Sequence, residues 1–212
     1  MNEKLRKLDF VNKHLDEYFH KWLIADIKVL LEKELRFTLP YILLVSAGID
    51  FLGGLTDGFK HNNSSTRSNN FIKVWMGKVN PLYRVDGMSE LLYNNVRCGA
   101  SHQAIYKKDV ACSYDIPVSK HLHLKVTPGY EDRVIIQVLQ YAKDFMKAQE
   151  LYIREYISKN IDRVYKNLSA ILNEDKHYLI KYLKDNNLTF KNTNNIGKKI
   201  YTGTSEAPPN SW

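Results

Sequence analysis

Cysteine is scarce in this sequence, and its scarcity limits the chemistry that the chain can carry. Cys98 and Cys112 are the two cysteines among 212 residues, and they form no Cys-x-x-Cys pair. Two thiols are too few for a disulfide framework or for a zinc site with four cysteine ligands. We therefore expect free thiols, a reducing compartment and no cysteine-based catalysis.

Several motifs that bind phosphates or metals are also missing. The sequence has no phosphate-binding loop, no Gly-x-Gly-x-x-Gly fingerprint and no His-Glu-x-x-His pair. His121 and His123 alternate as two metal ligands on one strand face would, but no third ligand lies nearby in the sequence. We expect these histidines on an exposed strand face, and neither a metal nor another cofactor.

Long hydrophobic runs are limited to one segment, residues 39–55, with the sequence LPYILLVSAGIDFLGGL. It is short for a membrane span and carries Asp50 near its middle, so we predict a buried core helix. The segment MNEKLRKLDF is charged and lacks the apolar stretch of a signal peptide. These features favour a cytoplasmic protein with no membrane contact.

Negative charge is outnumbered by positive charge. The 31 Lys and Arg residues against 23 Asp and Glu give a formal net charge of +8. This excess favours an anionic partner such as RNA or DNA, although lysine-rich helix surfaces can also serve solubility alone. With 44% apolar and 25% charged residues, the composition is that of a soluble globular protein with a real core.

The hydrophobic pattern predicts an all-α helical bundle. Apolar residues recur with a period near 3.6 from Leu15 to Leu35. Thr38 and Pro40 fit a helix cap and a first-turn proline, and Gly53–Gly54 fits the end of that helix. We expect a polar loop over 57–70, with Asn70 capping the next helix. Further helices are predicted over 88–104, 130–158, 161–172 and 176–184.

A small two-stranded β excursion interrupts the predicted bundle near residues 110–126. Residues 121–126, HLHLKV, alternate between polar and apolar, and 110–116 is a plausible partner strand. We expect residues 1–188 to form one helical domain. Residues 189–212 have no sustained periodicity, so we predict a C-terminal tail or arm.

Arg97 and His102 are the most informative pair in the chain, within the stretch LLYNNVRCGASHQAIY. Arginine offers a planar fork of donors that matches phosphate oxygens, and histidine can move a proton near pH 7. Five residues on a straight helix correspond to a rotation of about 140° and a rise of about 7.5 Å, so the two side chains do not share a face. A distortion at Gly99, or a second copy of the helix in a dimer, would complete the site.

Other residues are candidates to support this pair. Asp50 lies in an apolar helix, where an unpaired carboxylate is costly, so it faces a cleft, meets a cation such as Arg97, or bonds backbone amides at the helix end. Tyr106 lies four residues after His102 and could orient its ring, stack on a base or serve as a core aromatic. Lys107 and Lys108 add local positive charge for nucleic acid.

An all-α chain with Arg and His in the segment VRCGASH resembles the HEPN superfamily, whose motif is Arg, four to six residues, then His. The resemblance implies a metal-independent ribonuclease whose active site forms across a homodimer, with Arg97 and His102 as catalytic residues. Active members commonly have a polar residue after the arginine, often asparagine, whereas this chain has Cys98. Other members have lost catalysis and act in binding or assembly.

Three functions therefore remain open from the sequence. The first is an endoribonuclease, associated with a toxin or a defence system, that cleaves RNA by attack of the ribose 2′-hydroxyl. Its expected partners are RNA, a second copy of the chain and a cognate inhibitor or defence-system partner. The second is a non-catalytic helical module that binds nucleic acid or a partner protein. The third is an assembly scaffold.

Overall fold

The computed structural model describes residues 2–33, 37–60, 63–103, 109–114, 122–127 and 133–185, and for 101–103 and 174–185 it describes the backbone alone. Within these ranges the chain forms six helices, which are α1 (3–32), α2 (Thr38–Asp57), α3 (64–79), α4 (88–103), α5 (138–157) and α6 (Ile161–Asp185). Its contacts divide the chain into two units, residues 1–171 and 172–212. The predicted all-α bundle with a small β excursion is confirmed.

Four of the helices contain a wider π-helical stretch. The π-helical stretches are Leu15–Ile24 in α1, Ile72–Met76 in α3, Leu92–Arg97 in α4 and Ile153–Ile157 in α5. The regular α-helical segments on either side of them are Glu3–His14 and Ala25–Glu32 in α1, Ser64–Phe71 and Gly77–Val79 in α3, and Met88–Leu91 and Cys98–Gln103 in α4. In α5 the regular segment Val138–Tyr152 precedes the π-helical stretch. A short 3₁₀ turn, Pro81–Arg84, joins α3 to α4.

Helix α2 lies in the core. It is the one helix among the described residues that is long and apolar enough to cross a membrane by length and composition, and 56% of its most apolar window is buried inside the protein. It packs against α3 and α5. A side chain at Gly48 would collide with the Phe145 ring of α5, so the small residue allows close packing. The prediction of a buried core helix is confirmed.

The bounds of α2 and α3 differ from the prediction. Helix α2 starts at Thr38 with Phe37 in the cap position, and it ends at Asp57 rather than at Gly53–Gly54. The glycine pair serves close packing instead of termination. The predicted polar loop over 57–70 overlaps the helical segment Ser64–Phe71, so Asn70 lies inside a helix instead of capping its start.

The sheet has three strands, β1 (Val110–Ser113), β2 (Val126–Thr127) and β3 (Arg133–Gln137), in the order β1-β3-β2. Strand β1 runs parallel to β3, whereas β2 runs antiparallel to it. The predicted direct pairing of 110–116 with 121–126 is therefore wrong, because β3 lies between them. Leu124 adopts a left-handed backbone conformation with φ of 61°, which a strand does not accommodate, so strand β2 begins only at Val126, near the end of the predicted strand over 121–126.

Two helix predictions in the second half need correction. The helix predicted from residue 130 begins at Val138, because the β-branched run Val134–Ile136 extends into the sheet instead. The two helices predicted over 161–172 and 176–184 are one helix, α6, since no glycine or proline separates them. The predicted tail, residues 189–212, lies outside the described residues.

Candidate active site

Arg97 lies where α4 changes from a wide to a regular helix. The π-helical stretch Leu92–Arg97 ends at this residue, and the α-helical segment Cys98–Gln103 follows. Stretches of this kind are frequent at functional sites. The widened part precedes Gly99, and the turn that separates Arg97 from His102 is regular. One copy of α4 therefore keeps the two positions about 140° apart around its axis.

Three neighbours hold the Arg97 guanidinium. Its Nη2 donates to Asp50 Oδ2 at 3.2 Å, its Nη1 donates to Cys98 Sγ at 3.8 Å, and its central carbon lies 5.3 Å from the centre of the Tyr93 ring. The side chain keeps 24% of its surface exposed. The predicted contact between Asp50 and Arg97 is confirmed, and it orients an arginine that a ligand can still reach.

Asp50 is the centre of a larger cluster. Arg67 donates to both of its carboxylate oxygens, from Nε at 3.0 Å and from Nη2 at 3.2 Å. The hydroxyls of Ser64 and Ser68 donate to Oδ1 at 3.1 and 2.9 Å. With the bond from Arg97, the carboxylate is well satisfied although only 19% of its side chain is exposed. We call these residues, Asp50, Ser64, Arg67, Ser68 and Arg97, the Asp50 cluster.

The electrostatics of the Asp50 cluster favour an anion. Burial alone would raise the pKa of Asp50, but the hydrogen bonds and charges of Arg67, Ser68 and Arg97 hold it below its usual value. Burial likewise works against the charge of Arg97, while its contacts with Cys98 and Asp50 raise the pKa of its guanidinium. Two guanidinium groups therefore share one carboxylate, which leaves one net positive charge for a phosphate to neutralise.

The close approach of α2 and α3 assembles the Asp50 cluster. A Cβ atom at Gly53 would lie 2.5 Å from the carbonyl oxygen of Arg67, so glycine is required there. Asp50 lies three residues before Gly53 and shares its helix face. Ser64, Arg67 and Ser68 have the spacing i, i+3, i+4, which places all three on the face of α3 that meets Asp50.

Sequence reasoning missed three members of the Asp50 cluster. Ser64, Arg67 and Ser68 lie in the run HNNSSTRSNN, which composition alone marks as a loop. The three- and four-residue spacing was the available signal, because it places polar groups on one side of a helix opposite a buried acid.

The structure brings together Asp50, Arg97 and Cys98 among the predicted site residues. His102 lies in the helical segment Cys98–Gln103, and over residues 101–103 of that segment the backbone alone is described. Tyr106, Lys107 and Lys108 lie outside the described residues. Their predicted roles, and that of His102 as a proton carrier, remain predictions.

A second polar cluster lies in the core and includes His123, which was wrongly predicted to be exposed. Its side chain is 3% exposed. Nδ1 accepts a hydrogen bond from the backbone N–H of Gln137 at 3.1 Å, so Nε2 carries the proton and donates to the Tyr83 hydroxyl at 3.0 Å. That hydroxyl donates to Asp144 Oδ2 at 3.1 Å. The network joins the 3₁₀ turn, the segment 122–127 and α5, so it specifies the packing of the core.

Burial sets the protonation of this second cluster. It raises the pKa of Tyr83 well above its usual value, and the charge of Asp144 adds to the effect. The tyrosine is fully buried and stays neutral. His121, the other histidine of the predicted strand face, lies outside the described residues.

Comparison with known proteins adds no functional assignment. No family model matches this chain, and neither a curated protein nor a solved structure matches it. Within the part of the chain that the structure describes, no group of three or more His, Cys, Asp or Glu residues is placed to hold a metal ion. The geometry and chemistry of the Asp50 cluster are therefore the features that bear on function.

Proposed function

We propose that this chain is a cytoplasmic, metal-independent endoribonuclease of the HEPN type, associated with a toxin or defence system. The observation that carries the proposal is the shared carboxylate of the Asp50 cluster. Arg67 donates hydrogen bonds to both carboxylate oxygens of Asp50, and Arg97 donates one N–H to Oδ2 at 3.2 Å. Arg97 is thereby oriented without being fully neutralised, as a phosphate clamp requires.

The proposed reaction is an attack of the ribose 2′-oxygen on the adjacent phosphorus. His102 removes the proton of the 2′-hydroxyl or supplies a proton to the departing 5′-oxygen. Arg97 binds the scissile phosphate and offsets the negative charge that develops on its oxygens. The bond from phosphorus to the 5′-oxygen breaks, which leaves a 2′,3′-cyclic phosphate and a 5′-hydroxyl. Asp50 acts through Arg97 as a positioning residue.

We further propose that the site is completed in a homodimer. Because the turn between Arg97 and His102 is regular, the two positions lie about 140° apart around the axis of one helix and do not share a face. A second α4 near a two-fold axis supplies another Arg97–His102 pair. Light scattering at micromolar concentration should show a dimer, and a monomer would contradict this part of the proposal.

The alternative is a non-catalytic module that binds nucleic acid or a partner protein. One observation favours it: Cys98, a weak hydrogen-bond donor, follows Arg97, and its sulfur accepts a bond from the guanidinium. A purely structural Arg97 would also be held in this way. The alternative keeps the positive Asp50 cluster and needs no proton transfer.

Incubation with mixed RNA in EDTA separates these functions. The proposal predicts cleavage that resists the chelator and products that carry 2′,3′-cyclic phosphates and 5′-hydroxyls. Intact RNA with a mobility shift would favour the binding module. Intact RNA without a shift would contradict the ribonuclease and the nucleic-acid-binding module, and it is the result expected of a module that binds a partner protein or of an assembly scaffold.

A further inference from the structure

We propose that a groove beside the Asp50 cluster binds one base of single-stranded RNA, an inference that rests on RNA being the substrate. The groove lies between α2, α3, the end of α5 and the start of α6. Its volume of about 350 Å³ lies in the range of roughly 300–1,000 Å³ that is typical of small-molecule pockets. We call it the base groove. Arg67 lines it and also binds Asp50, so it adjoins the cluster that holds Arg97.

An aromatic wall gives the base groove a stacking surface. Trp75 and Tyr156 both line it, and their ring centres lie 6.0 Å apart at an interplanar angle of 76°. Tyr152 stacks on Tyr156 with 5.1 Å between ring centres, which fixes the orientation of the half-buried Tyr156 ring. Lys78 lies over Trp75 at 4.2 Å, so Tyr156 is the ring best placed to accept a base. Stacking on aromatic rings is the usual means of binding single-stranded bases.

Positive charge is placed to bind the backbone of the same nucleotide. Arg163, at the start of α6, lines the base groove, is exposed and forms no ion pair with any residue that the structure describes. An unpaired guanidinium next to an aromatic surface is the combination that single-strand binding uses for phosphate and base. Arg163 therefore complements the phosphate of a nucleotide whose base stacks on Tyr156.

The polar rim of the base groove gives it a base preference. Asn70 Nδ2 donates to Asp57 Oδ2 at 2.9 Å, and both residues line the groove. Asp57 is the last residue of α2, where the helix dipole disfavours negative charge, so helix stability does not explain it. A carboxylate accepts hydrogen bonds from exocyclic amino groups. Adenine, cytosine and guanine have such a group and uracil does not, so we expect uracil to bind most weakly.

Binding can be measured separately from cleavage with oligonucleotides whose 2′-oxygens are methylated, because they cannot undergo the proposed reaction. Fluorescence anisotropy with a labelled single-stranded oligonucleotide of adenine and cytosine should give roughly 5- to 100-fold weaker binding for Tyr156→Ala, and near wild-type binding for Tyr156→Phe. Arg163→Ala should also weaken binding. Lys28→Ala, which removes an exposed charge from α1, is the matched control and should bind like wild type.

The base preference is tested with a uracil-only oligonucleotide of the same length. Wild type should bind it more weakly than the mixed oligonucleotide, and Asp57→Asn should reduce this difference. Equal affinity of wild type, Tyr156→Ala and Arg163→Ala for the mixed oligonucleotide would overturn the base groove even if RNA is cleaved. Binding that depends on Tyr156 and Arg163 without any cleavage of natural RNA would support the groove and contradict the proposed function.

Discussion

Replacing Asp50 with alanine should destabilise the protein strongly, because it leaves buried cations without their acceptor. Arg67 is the residue most affected, since 10% of its side chain is exposed and it has little access to water. Breaking a buried charge pair costs about 3–5 kcal/mol. Arg97 is 24% exposed and can turn towards solvent, so we expect the lower end, about 3 kcal/mol. For a chain of 212 residues, this corresponds to a fall in Tm of roughly 6–12 °C.

Urea denaturation of wild type and Asp50→Ala measures this loss directly, and pH provides a second check. The folded state lowers the pKa of Asp50 below the unfolded value of 3.8, so its contribution is present above that pH and is lost as pH falls through the folded pKa. The stability difference between the two proteins should therefore shrink below pH 3.8. Asp16→Ala removes an exposed carboxylate and is the control. Equal stability of Asp50→Ala and Asp16→Ala would refute the reasoning.

Three further predictions follow from packing and burial. Gly53→Ala should cost about 1–3 kcal/mol in urea denaturation, because its Cβ meets the backbone carbonyl of Arg67. Tyr83→Phe should cost about 1–3 kcal/mol, because it leaves His123 and Asp144 without the hydroxyl that joins them. Burial raises the pKa of Tyr83, Tyr141 and Tyr152 in the folded state. The free energy of unfolding should therefore fall above pH 10 by about 1.4 kcal/mol per pH unit for each of these tyrosines. A titration of tyrosinate absorbance, combined with circular dichroism, measures this loss.

Each of these predictions has its own control. Gly77→Ala adds a Cβ against the flexible side chain of Arg84 and should cost less than Gly53→Ala; the reverse order would contradict the packing argument. Tyr18→Phe changes an exposed tyrosine, and a Tyr83→Phe protein as stable as this control would argue against the buried network. Titration of all 14 tyrosines in the folded protein near pH 10 would contradict the burial argument.

The Asp50–Arg97 contact was predictable from the sequence because a carboxylate inside an apolar helix must find a cation or water. Arg67 was not predictable from composition, since its polar neighbours resemble a loop and the helix face becomes visible only in the spacing of Ser64, Arg67 and Ser68. Polar residues pack as a helix here because Gly53 allows α3 to lie against α2.

The sheet and the buried histidine were harder to predict for a different reason. Strand β3 pairs in parallel with β1, which lies 24 residues before it in the chain, and no local pattern encodes such pairing. His123 looked exposed because it alternates with apolar residues, as a surface strand does. Its burial depends on Tyr83 and Asp144, which lie 40 and 21 residues away along the chain. Tertiary partners, rather than periodicity, decide both features.

The most direct test of the central claim is the rate of RNA cleavage in EDTA by variants of the two motif residues. We predict that His102→Ala lowers the rate by roughly 100-fold or more, since it removes the proton carrier. Arg97→Ala and Arg97→Lys should also abolish cleavage, because a lysine lacks the planar fork of donors. Arg154→Ala changes an exposed residue, His20→Ala changes a half-buried histidine outside the Asp50 cluster, and both should cleave like wild type, with circular dichroism confirming that every variant is folded. Cleavage at the wild-type rate by folded His102→Ala would contradict the claim.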